Sequence, residues 1–160
     1  AIAFAQSRGV VVVAAAGNAG VADVAYPAGY PGVVSVAGTD SADARYGWSN
    51  YGGWVRLAAP GCSSSTAAGG GYGEFCGTSS ATAFVSGMAG LIRSLAPELP
   101  ADGLGQALAA SAVRVGDFVS AGRVDVGGAA ALLRQGAPSA TTSSAPAPVP
   151  VAPASGSSLE

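Results

Sequence analysis

The chain has 160 residues, of which 49% are apolar, and a formal net charge of -2. This length suffices for one domain with a hydrophobic core, whereas the longest apolar run is far too short to span a membrane. Seven cations against nine acidic residues, with no basic run, give little support to nucleic-acid binding.

Short apolar runs in the first 60 residues predict strands. The first nine residues are typical of the end of a helix, and the uninterrupted run 10–16 is typical of a strand buried on both faces. Runs over 33–37 and 54–58 predict two further short strands.

Helices are predicted in the second half of the chain. The longest runs over 79–95, where apolar residues recur at helical spacing and define one apolar face. The residues of this face are Phe84, Val85, Met88, Leu91, Ile92 and Leu95. Two more helices fit 104–112 and 126–134, with Pro100 and Gly122 among the breaks between the helices.

The last 25 residues differ in composition from the rest. Residues 137–158 are all Ala, Pro, Ser, Thr, Val or Gly, so this segment buries too little apolar area to order itself. We therefore expect one folded unit over 1–135 and a Pro/Ala/Ser-rich disordered tail or linker over 136–160.

Cys62 and Cys76 are the only cysteines, and they bracket a loop rich in serine and glycine. A disulfide between them would stabilise the fold by roughly 3 kcal/mol in the chain-entropy account and would indicate an oxidising compartment. The alternative is two unpaired cysteines packed as small apolar residues. We favour the disulfide because neither cysteine lies in an apolar run and the loop needs an anchor.

Two other segments resemble functional motifs but are better explained as an ordinary loop and an ordinary turn. The glycine-rich segment 69–73 lacks the Gly-Lys-Ser/Thr of a phosphate loop, so a flexible surface loop is expected there. Asp40 and Asp43 are predicted to lie in a solvated turn after a strand rather than to act as paired carboxylates.

Two polar residues occupy positions that suit acyl-transfer chemistry. Ser79 begins the longest helix, where unpaired N–H groups and the positive end of the helix dipole favour an anion. Asn18 follows the first strand, where its amide is well placed to donate to a developing oxyanion. Each signal alone is weak, because such a serine is usually an N-cap and Gly-Asn is usually a turn.

The absence of a base limits what Ser79 can do alone. The sequence contains no histidine, and all seven of its cations are arginine. A serine hydroxyl needs a neighbouring base to become a good nucleophile, and the chain has neither His nor Lys. Either Ser79 is not a nucleophile, or its base lies on protein outside this sequence.

Five blocks of sequence resemble the subtilisin-like serine protease family in order and spacing over roughly residues 1–134. They are 15–18 (AAGN, the oxyanion motif), 26–38 (YPAGYPGVVSVAG), 48–52 (WSNYG), 58–61 (AAPG) and 77–87 (GTSSATAFVSG, the nucleophile motif). Five ordered blocks argue against a chance similarity.

The resemblance implies an α/β, three-layer fold with a largely parallel sheet, incomplete here because the N-terminal strands are missing. It also implies a serine endopeptidase that cleaves polypeptide substrates through an acyl-enzyme on Ser79, with Asn18 in the oxyanion hole. In the family's order the catalytic Asp and His precede the Ser, so both lie upstream of this chain. Residues 1–135 would then be the C-terminal part of a catalytic domain, inactive without its N-terminal half.

The resemblance also assigns substrate contacts. Ala15, Ala16 and Gly17 would form one wall of the pocket for the residue before the cleaved bond. Ala25 matches a position near the floor of that pocket, where a small residue leaves room for a large apolar side chain.

Three positions depart from the family pattern. Met is common where Ser80 stands and Pro where Ala83 stands, and an alanine there allows the helix start to relax. Arg56 stands where some relatives carry an acidic residue of a structural cation site. The chemistry requires no cofactor, no metal ligand is assigned, and a structural calcium in the intact protein is not assignable to residues of this chain.

The resemblance implies a bacterial-type secreted or cell-surface protein and leaves two other classes open. One is a non-catalytic relative that keeps the fold as a binding or scaffold module, which the unusual Ser80 and Ala83 favour. The other is an acid-acting protease with a Ser-Glu-Asp arrangement. Asn18 argues against the second, because those proteases are expected to carry Asp in the oxyanion role.

Overall fold

The structure is a computed structural model that describes residues 1–135, so the predicted tail over 136–160 lies outside the described residues. The elements in chain order are α1 (Ile2–Ser7), β1 (Val13–Ala15), β2 (Val34–Thr39), β3 (Leu57–Pro60), β4 (Cys62–Thr66), β5 (Tyr72–Cys76), α2 (Thr78–Leu95), α3 (Ala101–Ala110), β6 (Gly122–Arg123) and α4 (Val126–Arg134).

Four strands form one parallel sheet in the order β1-β2-β3-β6. All six residues of β2 are buried, since β2 lies between β1 and β3 and its small and β-branched side chains suit a strand covered on both faces. Val13 pairs with Val34, and Val36 pairs with Leu57. Within residues 1–135, β1 pairs only with β2, so its other edge is free.

The main hydrophobic core lies between this sheet and helices α2, α3 and α4. Its fully buried side chains include Val36, Leu57, Val85, Ile92, Leu104 and Leu108. A smaller cluster covers the opposite face of the sheet and includes Ala16, Ala37, Val55 and Val119. The chain therefore has the α/β architecture that the sequence predicted, with a sheet that is open at β1.

The predicted strands exist, but all three have bounds other than those predicted. The strand predicted over 10–16 shortens to β1, whose side chains pack on both faces of the sheet, and Val10, which precedes the strand, is 49% exposed. The second strand, β2, begins one residue and ends two residues later than predicted. The third strand begins at Leu57 rather than at residue 54, because a turn precedes it in which the Val55 N–H donates to the Gly52 carbonyl at 2.9 Å.

The predicted helices are confirmed with small shifts. The longest begins at Thr78, one residue earlier than predicted, and α4 has the predicted bounds. Helix α3 covers Ala101–Ala110 instead of 104–112, because Pro100 serves as its extended N-cap residue.

The apolar face predicted for α2 divides into a buried and an exposed part. Val85 and Ile92 are fully buried against the sheet, whereas Phe84 is 38% exposed and Leu91 and Leu95 are each 52% exposed. The apolar stripe is wider than the sheet that it contacts. Nothing within the described part of the chain covers its outer side.

A β-hairpin replaces the flexible loop predicted between the two cysteines. Strands β4 and β5 pair antiparallel from Cys62 opposite Cys76 to Thr66 opposite Tyr72. The serines of β4 and the glycine-rich turn concealed this hairpin, because neither carries the alternating apolar pattern of a strand. Over residues 1–135, the structure contains no helix long and apolar enough to cross a membrane.

Candidate active site

The loop that follows β1 places Asn18 at the carboxyl edge of the sheet. Gly17 begins this loop with φ +108°, a conformation that side chains rarely adopt. A Cβ at Gly17 would also lie 2.5 Å from Asn50 Nδ2, so only glycine fits. The short strand and this glycine together direct Asn18 towards the start of α2.

The side chain of Asn18 is bound to Thr78, sixty residues further along the chain. Its Oδ1 accepts from the Thr78 N–H at 2.8 Å and from Thr78 Oγ1 at 3.0 Å. Because a backbone N–H only donates, the atom that faces it is the carbonyl oxygen, and the Nδ2 amino group remains available as a donor. Thr78 Oγ1 in turn accepts from the Gly17 N–H at 3.1 Å.

Ser79 lies beside this contact as the second residue of α2. Its side chain is exposed, and within residues 1–135 neither its Oγ nor its N–H has a hydrogen-bond partner. Gly77, the N-cap residue, has φ +148°. A Cβ on Gly77 would lie 3.4 Å from Asn18 Nδ2 and 3.7 Å from Ser79 N, so the two donors border the same small volume.

The departures from the family pattern leave the helix start ordered. Gly77 donates from its N–H to the Gly61 carbonyl at 2.8 Å, and the helix begins at Thr78 although Ala83 is not a proline. Ser80 is half-buried, and its hydroxyl lies 2.8 Å from that of Ser63 on β4. The serine that stands in place of methionine therefore ties α2 to the hairpin.

The hairpin is also covalently closed next to this helix start. Cys62 and Cys76 form a disulfide with a Cα–Cα distance of 4.1 Å. Glu74 lies close to both sulfurs. Because the two sulfurs are bonded to each other, they are not available to a metal ion.

The four residues assigned to substrate contacts fall into two groups. Ala16 is fully buried and packs with Ala37 and Val55, so its side chain belongs to the core. Ala15, Gly17 and Ala25 are half-buried. The methyl of Ala25 would lie 3.9 Å from a Cβ on Gly17, so these two residues are neighbours.

The residues at the suggested cation site do not suit a metal ion. Burial lowers the pKa of Arg56, whose guanidinium group is a fixed cation in the ordinary pH range. No step of the chemistry is assigned to a metal.

Two residues of this site escaped the sequence analysis. Thr78 lies inside the nucleophile motif and Asn50 inside the 48–52 block, but the sequence assigned no role to either residue. The hydrogen bonds that they make to the loop around Asn18 join segments that are 29 to 61 residues apart, and no local pattern encodes such contacts.

An open parallel sheet with an asparagine after its edge strand and an exposed serine at the start of its central helix is the arrangement of a subtilisin-type α/β protein. The sequence profile of the Subtilase family, peptidase S8, matches residues 1–137. The chain belongs to that family.

Curated relatives match over about 60% of this chain. Alkaline elastase YaB from Bacillus sp. (strain YaB) is 42% identical over 98 residues, which are 61% of this chain and 26% of that protein. Thermitase from Thermoactinomyces vulgaris is 46% identical over 95 residues, which are 59% of this chain and 34% of that protein. The aligned segments are thus only a quarter to a third of these relatives.

Solved structures share the fold over most of the described residues. The self-cleaved protease domain of PatA has a TM-score of 0.76 and 33% identity, with 85% of this chain and 54% of that chain covered. The prenylagaramide maturation protease PagA has a TM-score of 0.75 and 28% identity, with 82% and 53% covered. This chain therefore spans about half the length of these protease structures.

Proposed function

We propose that this chain is the C-terminal half of the catalytic domain of a serine endopeptidase. Ser79 would attack the scissile carbonyl, and Asn18 Nδ2 with the Ser79 N–H would donate to the oxyanion of the tetrahedral intermediate. One observation carries the proposal. An exposed serine hydroxyl lies beside two N–H donors that border one volume and have no partner among residues 1–135.

Thr78 prepares the oxyanion donor in this proposal. By occupying Oδ1 of Asn18 with two hydrogen bonds, it fixes the amide so that Nδ2 is the free end. Donors held in place before the reaction stabilise developing charge without reorganising, which is the main source of such catalysis. Removal of the oxyanion-hole asparagine from a subtilisin lowers turnover by about 10²–10³, and we expect a loss of this size for Asn18→Ala.

The general base is supplied by protein upstream of this chain. The sequence has no histidine, and the segments shared with relatives make up only 26% of alkaline elastase YaB and 54% of the PatA domain. A cleft of about 580 Å³ lies along the free edge of β1 and is lined by Val10, Val11, Ala89 and Gly90, among others. This apolar edge suits an upstream half that adds strands to the sheet beside β1 and packs against the neighbouring face of α2.

The substrate class that this site suits is a polypeptide with a large apolar residue before the cleaved bond. Ala25 and Gly17 present little bulk at the carboxyl edge of β1, which leaves room for such a side chain. A peptide series that differs only at this residue should show higher kcat/KM for Phe or Leu than for Lys or Glu. The opposite order would contradict the assignment of Ala25.

The protein is proposed to act outside the cytoplasm. The Cys62–Cys76 disulfide fits an oxidising compartment, and homologues such as subtilisin BL from Lederbergia lenta are bacterial subtilisins. Residues 136–160 would link this domain to a further part of the protein or to the cell surface.

Labelling with a fluorophosphonate probe tests the proposal directly. A protein that carries the whole catalytic domain should be labelled at Ser79, and Ser79→Ala should abolish labelling. The matched control is Ser94→Ala, an exposed serine on the same helix whose hydroxyl donates only to the Leu91 carbonyl. The isolated chain should not be labelled, because it lacks a base.

Two results would contradict the proposal. Labelling that persists in Ser79→Ala would remove Ser79 as the nucleophile. A whole domain that folds but neither reacts nor hydrolyses peptides would instead favour the non-catalytic binding module.

A further inference from the structure

Asn50 is a buried residue that connects the sheet to the loop bearing Asn18. It is 4% exposed and lies in the segment between β2 and β3. Its backbone N–H donates to the Gly17 carbonyl at 2.9 Å. Its side chain donates from Nδ2 to the Ala16 carbonyl, also at 2.9 Å.

The same side chain also holds the far end of that loop. Asn50 Oδ1 accepts from the Ala19 N–H at 3.0 Å and from the Val21 N–H at 3.3 Å. Asn50 thus binds backbone groups on both sides of Asn18 and makes no hydrogen bond to Asn18 itself. A side chain with these partners fixes the path of the loop without touching the group that the loop presents.

Packing reinforces the hydrogen bonds. The Cβ that Gly17 lacks would meet Asn50 Nδ2 at 2.5 Å and Cγ at 3.2 Å, so the Asn50 amide lies directly against the Gly17 backbone. Thr78 holds the loop from the opposite side through the Gly17 N–H and the Asn18 amide. The loop is therefore clamped between two residues with different tasks. Thr78 orients the amide of Asn18, and Asn50 fixes its backbone.

We propose that Asn50 is a positioning residue for the oxyanion donor Asn18. This inference rests on the proposed function, in which Asn18 Nδ2 stabilises the tetrahedral intermediate. A displacement of about 1 Å in such a donor costs on the order of 10²-fold in rate. Removal of the Asn50 amide frees the Ala19 and Val21 N–H groups and allows a displacement of that size.

The substrate wall depends less on Asn50 than the oxyanion donor does. Ala15 is held by its pairing with Val36 in the sheet, and the Ala16 N–H donates to the Val36 carbonyl at 2.9 Å. Gly17, the third residue of the wall, keeps its N–H bond to Thr78 Oγ1 and the bond that its carbonyl accepts from the backbone N–H of residue 50, which a side-chain substitution does not remove. Loss of Asn50 should therefore lower kcat with little change in KM.

A double-mutant cycle in a protein that carries the whole catalytic domain tests this inference. Asn18→Ala, Asn50→Ala and the double variant are compared in kcat, KM and melting temperature. We expect Asn50→Ala to lower kcat by about 10- to 100-fold and to leave KM within about 3-fold. In the Asn18→Ala background the same change should lower kcat by less than about 3-fold, because no donor remains to be positioned.

Two further variants separate positioning from stability. Asn50→Asp keeps an acceptor for the Ala19 and Val21 N–H groups but loses the donor to the Ala16 carbonyl. If Asn50→Ala does not fold, Asn50→Asp takes its place in the cycle. Ser35→Ala is the control for a lost buried hydrogen bond, because Ser35 is 1% exposed and bonds to the Trp54 carbonyl away from the site. It should lower the melting temperature and leave kcat unchanged.

The outcomes distinguish the two proposals. If Asn18→Ala lowers kcat but the folded Asn50 variants do not, the positioning role is refuted and the oxyanion role stands. Equal losses of kcat from the Asn50 change in both backgrounds would also refute positioning. If Asn18→Ala leaves kcat unchanged, the oxyanion assignment fails and the role of Asn50 fails with it.

Discussion

Removal of the Cys62–Cys76 disulfide should destabilise the protein by an amount that the structure allows to be estimated. The bridge joins residues separated by 14 positions in sequence. In the chain-entropy account, a closed loop of about 15 residues is worth about 3 kcal/mol at 25 °C. For a domain of about 150–250 residues this corresponds to a fall in melting temperature of about 6–12 °C.

The location of the disulfide predicts that its removal also lowers kcat. Cys62 and Cys76 are opposite each other at the end of the hairpin nearest α2, and Gly77 begins the approach to Ser79. Without the bridge, this end of the hairpin is held by the Gly77 N–H to Gly61 carbonyl bond and by the Ser63–Ser80 hydroxyl contact. We therefore expect a lower kcat in addition to the lower melting temperature.

Thermal unfolding of a protein with the whole catalytic domain provides the assay. The wild type is measured with and without a thiol reductant, and the double variant Cys62→Ser with Cys76→Ser is measured in the same two buffers. The reduced wild type should match the double variant, and the reductant should not affect that variant. Equal melting temperatures for oxidised wild type and double variant would refute the loop-closure argument.

Four other substitutions give independent tests. Ile92→Ala should destabilise the protein by about 2–5 kcal/mol because Ile92 is fully buried. Leu91→Ala should lower the free energy of unfolding by a comparable amount only in a protein whose upstream half covers α2. Denaturant unfolding of this chain and of the whole catalytic domain, each with and without the substitution, measures the difference. Asp125→Ala should cost about 1 kcal/mol, since the Asp125 side chain caps α4 by accepting from the Gly128 N–H at 3.0 Å, and the same melts measure it. Arg56→Met should leave the free energy of unfolding at pH 7 unchanged or higher. Burial lowers the pKa of Arg56, so the charged guanidinium costs stability at every pH below that pKa. A clear loss of stability would show that the guanidinium has a partner in the intact protein.

Much of the fold was predictable because it is local. Helix α4 has the bounds predicted for it, and α2 begins one residue earlier than predicted. Strand β2 was recognisable because its short run of small and β-branched residues is typical of a strand covered on both faces, and all six of its residues are buried. The hairpin β4–β5 was missed because its serines and glycines carry no such signature.

Burial was less predictable than secondary structure. The spacing of Leu91 and Leu95 indicates an apolar face of α2, but it does not say which element lies against that face. Val10 likewise has the pattern of a buried residue, although β1 is an edge strand in the described residues. Which segments cover a helix and how far a sheet extends both depend on packing between segments that are distant in sequence.

The sequence by itself determined the chemical elements of the proposed site: a serine at a helix start, an asparagine after a strand, two cysteines around a segment rich in serine and glycine, and no base for the serine. These features depend only on the types of residues and on the order of neighbouring residues, which the sequence gives directly. Only the tertiary structure decided that Thr78 binds the Asn18 amide and that Asn50 clamps its loop. Such contacts exist because parallel strands place their carboxyl ends at one edge of the sheet, and that edge forms only when segments distant in sequence pack together.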